Sequence, residues 1–437
     1  MEINPVKGTH DIFDKEAHSY RKIEMICRYV ADLYNYQEIR TPVMEHTNLF
    51  VRSVGESSDI VSKEMYTFKD KAGRSVTLRP EFTAGIMRSI VSNKLYANAD
   101  LPLKLFYLGP CFRYERPQAG RYRQFNQFGI EAIGEPSYQL DAEAIAVGHR
   151  ILISLGISKI KVVVNSLGDE ESRARYRDAL KAYFKDHIEN MCPDCKRRYE
   201  VNPLRILDCK VPEDIEIVKG APKLHDFLSP EAKIYLDSVI AALDEIGIQA
   251  EIDDNLVRGL DYYTGVVFEY HVVEDDEIKD VGALGGGGHY GKLLKEVGGP
   301  DLEGIGMALG IERLALIDAI VNKDDVLNGP DFYLIGMTED IVEKNFSLAD
   351  IIRSEGMSVD CAYHVKSLKS VFKVAERKRA KFAIIVGEDE MEKKQIKVKN
   401  LATQEQTDVK LEDMALVLRS MLNEYMEAFY ASQVEVK

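Results

Sequence analysis

Long apolar runs are missing from this sequence. No stretch approaches the ~20 residues that cross a bilayer, so no membrane span is expected. The start, MEINPVKGTHDIF, has no apolar core behind a basic head, so no secretory signal is expected either. Cysteine is scarce, and six in 437 residues do not make a disulfide framework. Positive charge is in deficit: 57 Lys and Arg against 72 Asp and Glu leave a net charge of −15. That balance weighs against general nucleic-acid binding, because phosphates call for clustered cations. These absences point to the cytoplasm. What is present, 45% hydrophobic and 30% charged residues, is ordinary for a globular protein. At roughly 150 residues per domain the length allows two or three domains. The charge deficit is not uniform: residues 365–399 hold eleven Lys/Arg and five Asp/Glu. Alone, this stretch reads as a solvated helix face.

Periodicity gives a coarse map. Residues 15–37 read as an amphipathic helix, with Ile23, Ile26, Val30 and Leu33 at helical spacing. A strand is expected over QEIRT, stopped by Pro42. SVTLRP, LKLFYLGPCFRYE, FNQFGIEAIG, KVVVNSL and VVFEYHVV read as strands, and GIGMALGI as a strand turning into a helix. Residues 141–155 and 170–190 read as helices. Strands flanked by helices without strict alternation predict an α+β core on a mostly antiparallel sheet. The texture changes near residue 328. DFYLIGM, a helix, MSVDCAY, a second helix and FAIIVG make β-α-β-α-β, the pattern of a small parallel-sheet domain. Asn328-Gly329-Pro330 is the expected linker. The expected domains are 1–327, with an insertion over about 169–240, and 328–437.

Two chemical patterns are decoys at this level. Gly286, Gly291 and Lys292 begin a P-loop, but Leu293 stands where Ser or Thr would hold magnesium. The better reading of GALGGGGHYGKLL is a backbone passing close to a ligand or another strand, with Tyr290 projecting from it. Cys192-Pro-Asp-Cys195 and Cys209 suggest zinc, with His225 as a possible fourth ligand, but a second C-x-x-C is missing. Reduced, ordinary cysteines and no protein metal site are expected.

The richest segment is Phe112-Arg113-Tyr114-Glu115, a Pro/Gly-containing loop, then Arg121-Tyr122-Arg123-Gln124-Phe125. Guanidinium forks match phosphate oxygens, and a phenyl ring can stack on a purine. The segment resembles motif 2 of the class II aminoacyl-tRNA synthetases. The helix and strand closed by Pro42 look like motif 1, a dimer element. Gly306-Met-Ala308-Leu-Gly310-Ile-Glu312-Arg313 looks like motif 3, with Ala308 in place of the middle glycine. Within the class, the histidyl-tRNA synthetase family is the closest resemblance. Leu78-Arg79-Pro80-Glu81-x-Thr83 is similar to its amino-group loop, with Phe82 where many members have glycine. LVRGLDYYTGVVFEY, residues 256–270, is similar to its first private motif. GGGGHYGKLL is similar to its second, with His289 where arginine is commoner and Gly291 where Asp is commoner. The resemblance covers nearly the whole chain.

The resemblance implies a class II antiparallel-sheet catalytic core with an inserted helical region and a C-terminal α/β anticodon-binding domain. It implies an ATP-dependent ligase that makes histidyl-adenylate and passes the histidine to the 3′ end of its tRNA. Catalysis falls to Arg258 and Arg113. ATP falls to Arg113, Glu115, Arg121, Phe125 and Arg313, with Mg2+ carried on its phosphates. Histidine falls to Glu81, Thr83, Gln127, Glu131, Arg258, Tyr262, Tyr263 and Tyr290. Partners are L-histidine, the histidine-specific tRNA and a second copy of the chain, with no membrane. In this light the basic stretch 365–399 reads as a tRNA contact. The alternative is the family's non-catalytic relative, the regulatory subunit of ATP phosphoribosyltransferase. It lacks a C-terminal domain and loses active-site residues, whereas here residues 331–437 are present and Arg113, Arg258 and Arg313 stand intact.

Overall fold

The computed structural model describes residues 3–55, 58–97, 100–273, 281–322 and 329–434. Contacts divide the chain into two units, Met1–Asp324 and Asp325–Lys437. Asn328 of the expected linker lies outside the described residues.

The first unit is built on strands β1 (Gln37–Glu38), β2 (Met44–His46), β3 (Tyr66–Lys69), β4 (Ser75–Leu78), β5 (Leu103–Phe112), β6 (Gln124–Gly134), β7 (Ile160–Ser166), β8 (Ala250–Ile252), β9 (Val266–Val272), β10 (Gly285–Tyr290) and β11 (Glu303–Gly310). Eight of them form one sheet in the order β1-β5-β6-β11-β10-β9-β7-β8. Its end pairs, β1 with β5 and β7 with β8, are parallel. The inner pairs from β5 to β7 are antiparallel. The strand expected over QEIRT is only two residues long.

Side-chain alternation sorts this sheet into two faces. Phe128, Ile130 and Ala132 of β6, Phe268 and Tyr270 of β9, and Ile305, Met307 and Leu309 of β11 share one core with four helices, Asp14–Leu33, Tyr138–Ser154, Pro230–Glu245 and Ile311–Val321. The alternate residues on β6 and β11 line a cleft on the opposite face. The first helix stops four residues short of the expected end, where Asn35 adopts a left-handed φ of 59°.

The inserted region is helical. Helices Glu170–Phe184, Pro193–Val201 and Pro212–Val218 alternate with short 3-10 turns. Tyr176, Leu180, Phe184, Cys195, Ile206 and Leu224 pack into the core that continues beneath the cleft.

The second unit differs from the purely parallel sheet expected. Strands β12 (Phe332–Gly336), β13 (Val359–Cys361), β14 (Phe382–Val386), β15 (Gln395–Asn400) and β16 (Gln406–Lys410) run in the order β13-β12-β14-β15-β16. The first three are parallel, but β15 and β16 add antiparallel pairs. Their alternation is hidden because IKVKN carries lysines on its polar face and QTDVK offers one buried apolar residue. Helices Glu339–Ser354 and Met414–Val434 cover one face and Leu368–Arg377 the other.

Candidate active site

The floor of the cleft is a buried carboxyl group. Glu131 is 1% exposed at the centre of β6. Thr83 Oγ1–H donates to its Oε1 at 2.7 Å and Tyr290 O–H to its Oε2 at 2.6 Å. Both donors favour the anion, but burial opposes it more strongly and pushes the acid up to about 8. Gly306 of β11 lies directly opposite Glu131. A Cβ there would overlap a Glu131 carboxylate oxygen, so the first glycine of motif 3 makes room for this acid.

Glu81 sits beside this floor. Its two oxygens accept the backbone N–H groups of Thr83 and Ala84, at 2.7 and 3.0 Å, and so hold the start of the helix Thr83–Ser92. Desolvation raises its acid as well. Arg79, two residues earlier, points away and pins the loop by donating to the carbonyls of Pro110 and Thr41. Tyr262 and Tyr263 close another wall, their ring centroids 4.6 Å apart, with Tyr262 edge-on to Tyr290 at 5.8 Å. Burial raises both phenols.

The rest of the cleft is cationic. Arg113 donates from Nε to the Pro80 carbonyl at 2.8 Å and lies 5.3 Å from the Phe125 ring. Glu115 faces Arg113 and Arg121 at 3.9 and 3.6 Å. Arg313 follows β11 at the start of its helix and donates to the Ala283 carbonyl. Desolvation and the nearby charges of Arg121 and Arg113 lower its pKa. Arg258 is held by Glu269 at 2.5 Å, and its buried Nε has no partner. That unpaired donor and its cationic neighbours suit an anion.

Arg258, Arg113, Glu115, Arg121, Phe125, Arg313, Glu81, Thr83, Gln127, Glu131, Tyr262, Tyr263 and Tyr290 therefore line one cleft. The glycine run does not form a phosphate loop. Residues 285–288 lie in strand β10, between β9 and β11. A Cβ at Gly287 would overlap the Gly306 carbonyl, and Lys292 pairs with exposed Glu170 at 2.8 Å. Sequence reasoning missed Glu64, Glu269, Arg198, Arg205 and Lys210, which also line the cleft. Arg198 and Arg205 come from the inserted region and clasp Asp59 at 3.1 and 3.4 Å. No local pattern marks them, because their role depends on the packing of two distant segments. Glu269 was visible inside VVFEYHVV as an acid on a strand of apolar neighbours.

A histidyl-tRNA synthetase family model matches residues 8–314, and an anticodon binding domain model matches residues 328–421. The histidine–tRNA ligase of Bacillus subtilis strain 168 is 46% identical over 421 residues, covering 96% of this chain and 99% of the relative. The chain belongs to the histidyl-tRNA synthetase family. The histidine–tRNA ligase of Geobacillus sp. strain WCH70 is also 46% identical, over 95% of this chain and 99% of its own length. Among solved structures, the apo histidyl-tRNA synthetase of S. aureus superposes with a TM-score of 0.79 at 38% identity, covering 95% of this chain and all of that one. The fold is thus that of a class II synthetase with a C-terminal anticodon-binding domain. A Bacillus halodurans structure titled ATP phosphoribosyltransferase regulatory subunit/histidyl-tRNA synthetase shares the fold, with a TM-score of 0.63 at 23% identity over 89% of this chain and 99% of that one.

Proposed function

We propose that this chain activates L-histidine with ATP and transfers it to the 3′ end of the histidine-specific tRNA. One observation carries the reading: a fully buried carboxyl group, Glu131, sits in the same cleft as Arg113, Arg258 and Arg313. A histidine side chain needs a polar partner for each ring nitrogen. Glu131 accepts one N–H, and Tyr263 bonds the other nitrogen. Glu81, Thr83 and Gln127 receive the ammonium, beside the Thr83–Glu131 hydrogen bond.

The histidine carboxylate then attacks the α-phosphorus of ATP, the bond to the β-phosphate oxygen breaks, and pyrophosphate leaves. Charge gathers on the phosphoryl oxygens, so fixed cations do most of the work. Arg113 and Arg258 address the α-phosphate and Arg313 the γ-phosphate. Glu115 and Arg121 position ATP, and Phe125 stacks on adenine. Mg2+ would be carried on the ATP phosphates, whose charge it would neutralise, with Glu115 as a carboxylate beside it in the cleft. The terminal ribose hydroxyl of tRNA next attacks the acyl carbon, and AMP leaves.

The intact arginines favour catalysis over the regulatory reading. No helix among the described residues is long and apolar enough to cross a membrane, and the cytoplasm is the expected compartment. Met25, Tyr29 and Leu33 form an exposed apolar stripe on the first helix, which supports a homodimer; sedimentation as an active monomer would exclude it. The function itself is tested by charging a total tRNA pool with each labelled amino acid. Histidine alone should be incorporated, and no incorporation would overturn the reading.

A further inference from the structure

The inserted region holds a cluster that adenylation does not use. Cys192, Cys195, Cys209 and Asp214 each offer one ligand atom, and these four atoms lie within 4.8 Å of one another. All but Cys192 are buried. His225, the fourth ligand considered from sequence, is not among them; a carboxylate takes that place. The Cys192 and Cys209 sulfurs are 3.9 Å apart. Tetrahedral zinc with Zn–S bonds of about 2.3 Å sets its sulfurs about 3.8 Å apart. Cys209 Sγ lies 3.2 Å from Asp214 Oδ2, within reach of a shared ion.

The surroundings are those of a ligand shell. The Cys195 N–H donates to Cys192 Sγ at 3.4 Å, where Cys192 caps the nine-residue helix Pro193–Val201. The Cys192 N–H reaches both oxygens of Asp214 at 3.3 and 3.2 Å. Backbone donors of this kind orient metal ligands and stabilise their anionic forms. Soft thiolates select against magnesium and calcium, and four protein donors leave no open coordination position.

We propose that Cys192, Cys195, Cys209 and Asp214 bind a structural zinc ion. The ion ties the helix Pro193–Val201 to the turn Pro203–Asp208 and the helix Pro212–Val218. Arg198 and Arg205 lie on these tied segments, and Lys210 follows Cys209. Zinc therefore fixes the wall that the inserted region contributes to the cleft. A Cys192–Cys209 disulfide is the rival; it would use two of the four groups and leave Cys195 and Asp214 buried without their ion.

The test is metal analysis of the full-length protein, purified under reducing conditions without chelator. About one zinc per chain is expected, falling below about a tenth in Cys209→Ser and in Asp214→Asn. Because a variant can fail to fold, Co2+ is also titrated into the metal-stripped wild-type chain. Thiolate-to-cobalt charge-transfer and tetrahedral ligand-field bands should appear and be displaced by zinc. Zinc content unchanged in both variants, a metal-free wild type without cobalt bands, or peptide mapping that shows a Cys192–Cys209 disulfide would each overturn the proposal. None of these readouts depends on aminoacylation.

Discussion

Glu131 is where sequence, packing and chemistry meet. Its acid lies near 8 because desolvation outweighs two donated hydrogen bonds. It is protonated below that value and ionised above it, and only the ionised group accepts from both its neighbours and an imidazole N–H. The kcat/KM for histidine in pyrophosphate exchange should therefore rise with pH and level off above about 8. Glu131→Gln should remove this limb and lower kcat/KM on the order of 10³-fold, since a site built to hydrogen-bond a substrate group loses most when that bond is lost. A flat wild-type profile from about pH 6 to 9 would contradict the assignment. Arg258 is the second residue on which the proposed chemistry turns. Arg258→Ala should slow activation at least about 100-fold with the fold retained, by removing a cation where charge develops. Near-normal exchange in a folded Arg258→Ala protein would strike it from the catalytic set. Both residues were legible, Arg258 in VRGLDYY and Glu131 on the strand after motif 2. Asp214 was not, because a search for cysteine and histidine ligands passes over a carboxylate.

Strands of the catalytic sheet were legible where one face is buried and the other is not. FNQFGIEAIG announces β6 by alternation, and its cleft-facing positions 127 and 131 follow from the same parity. The glycine strand β10 was half legible. Close approach to a ligand or another strand is what its glycines imply, and the neighbour on each side is a strand. The second unit was legible up to β14 and then lost, because β15 and β16 make long-range pairs from weak local patterns. One departure from the family pattern now has a physical sense. His289, where arginine is commoner, lies between Asp141 at 3.3 Å and Glu303 at 2.5 Å, while Tyr235 O–H also donates to Asp141. The two carboxylates outweigh desolvation and raise His289 to about 9, so an imidazolium does the work of a fixed cation. The folded pKa exceeds the unfolded value, so this stabilisation is complete below about pH 6.5 and is lost as pH rises through about 9. With Glu303 partly exposed, it is worth roughly 2 kcal/mol. His289→Asn should lower Tm clearly at pH 6 and little at pH 9.5; an equal loss at both would exclude the charged clamp.

Across the whole chain, the two units divide the proposed labour. Every residue proposed for ATP or histidine lies before position 314, and the second unit carries exposed Lys366, Lys369, Lys373 and Arg377. Three other cations of the basic stretch are engaged: Lys378 with Asp360, Lys381 with Asp331 and Lys397 with Glu390. Those three pairs narrow the surface expected to contact tRNA. A chain ending at Asp324 should keep measurable histidine activation while tRNA charging falls much further, and charging by the intact chain should weaken steeply with salt. Equal loss of both activities in a folded truncated protein would mean that the second unit is not a separate tRNA module. On the proposed function, one buried acid and a ring of arginines make this cleft a histidine-activating site. ATP–pyrophosphate exchange on the intact chain with each of the twenty amino acids tests it most directly. Exchange is expected with histidine alone; exchange with another amino acid, or with none, would overturn the proposed function.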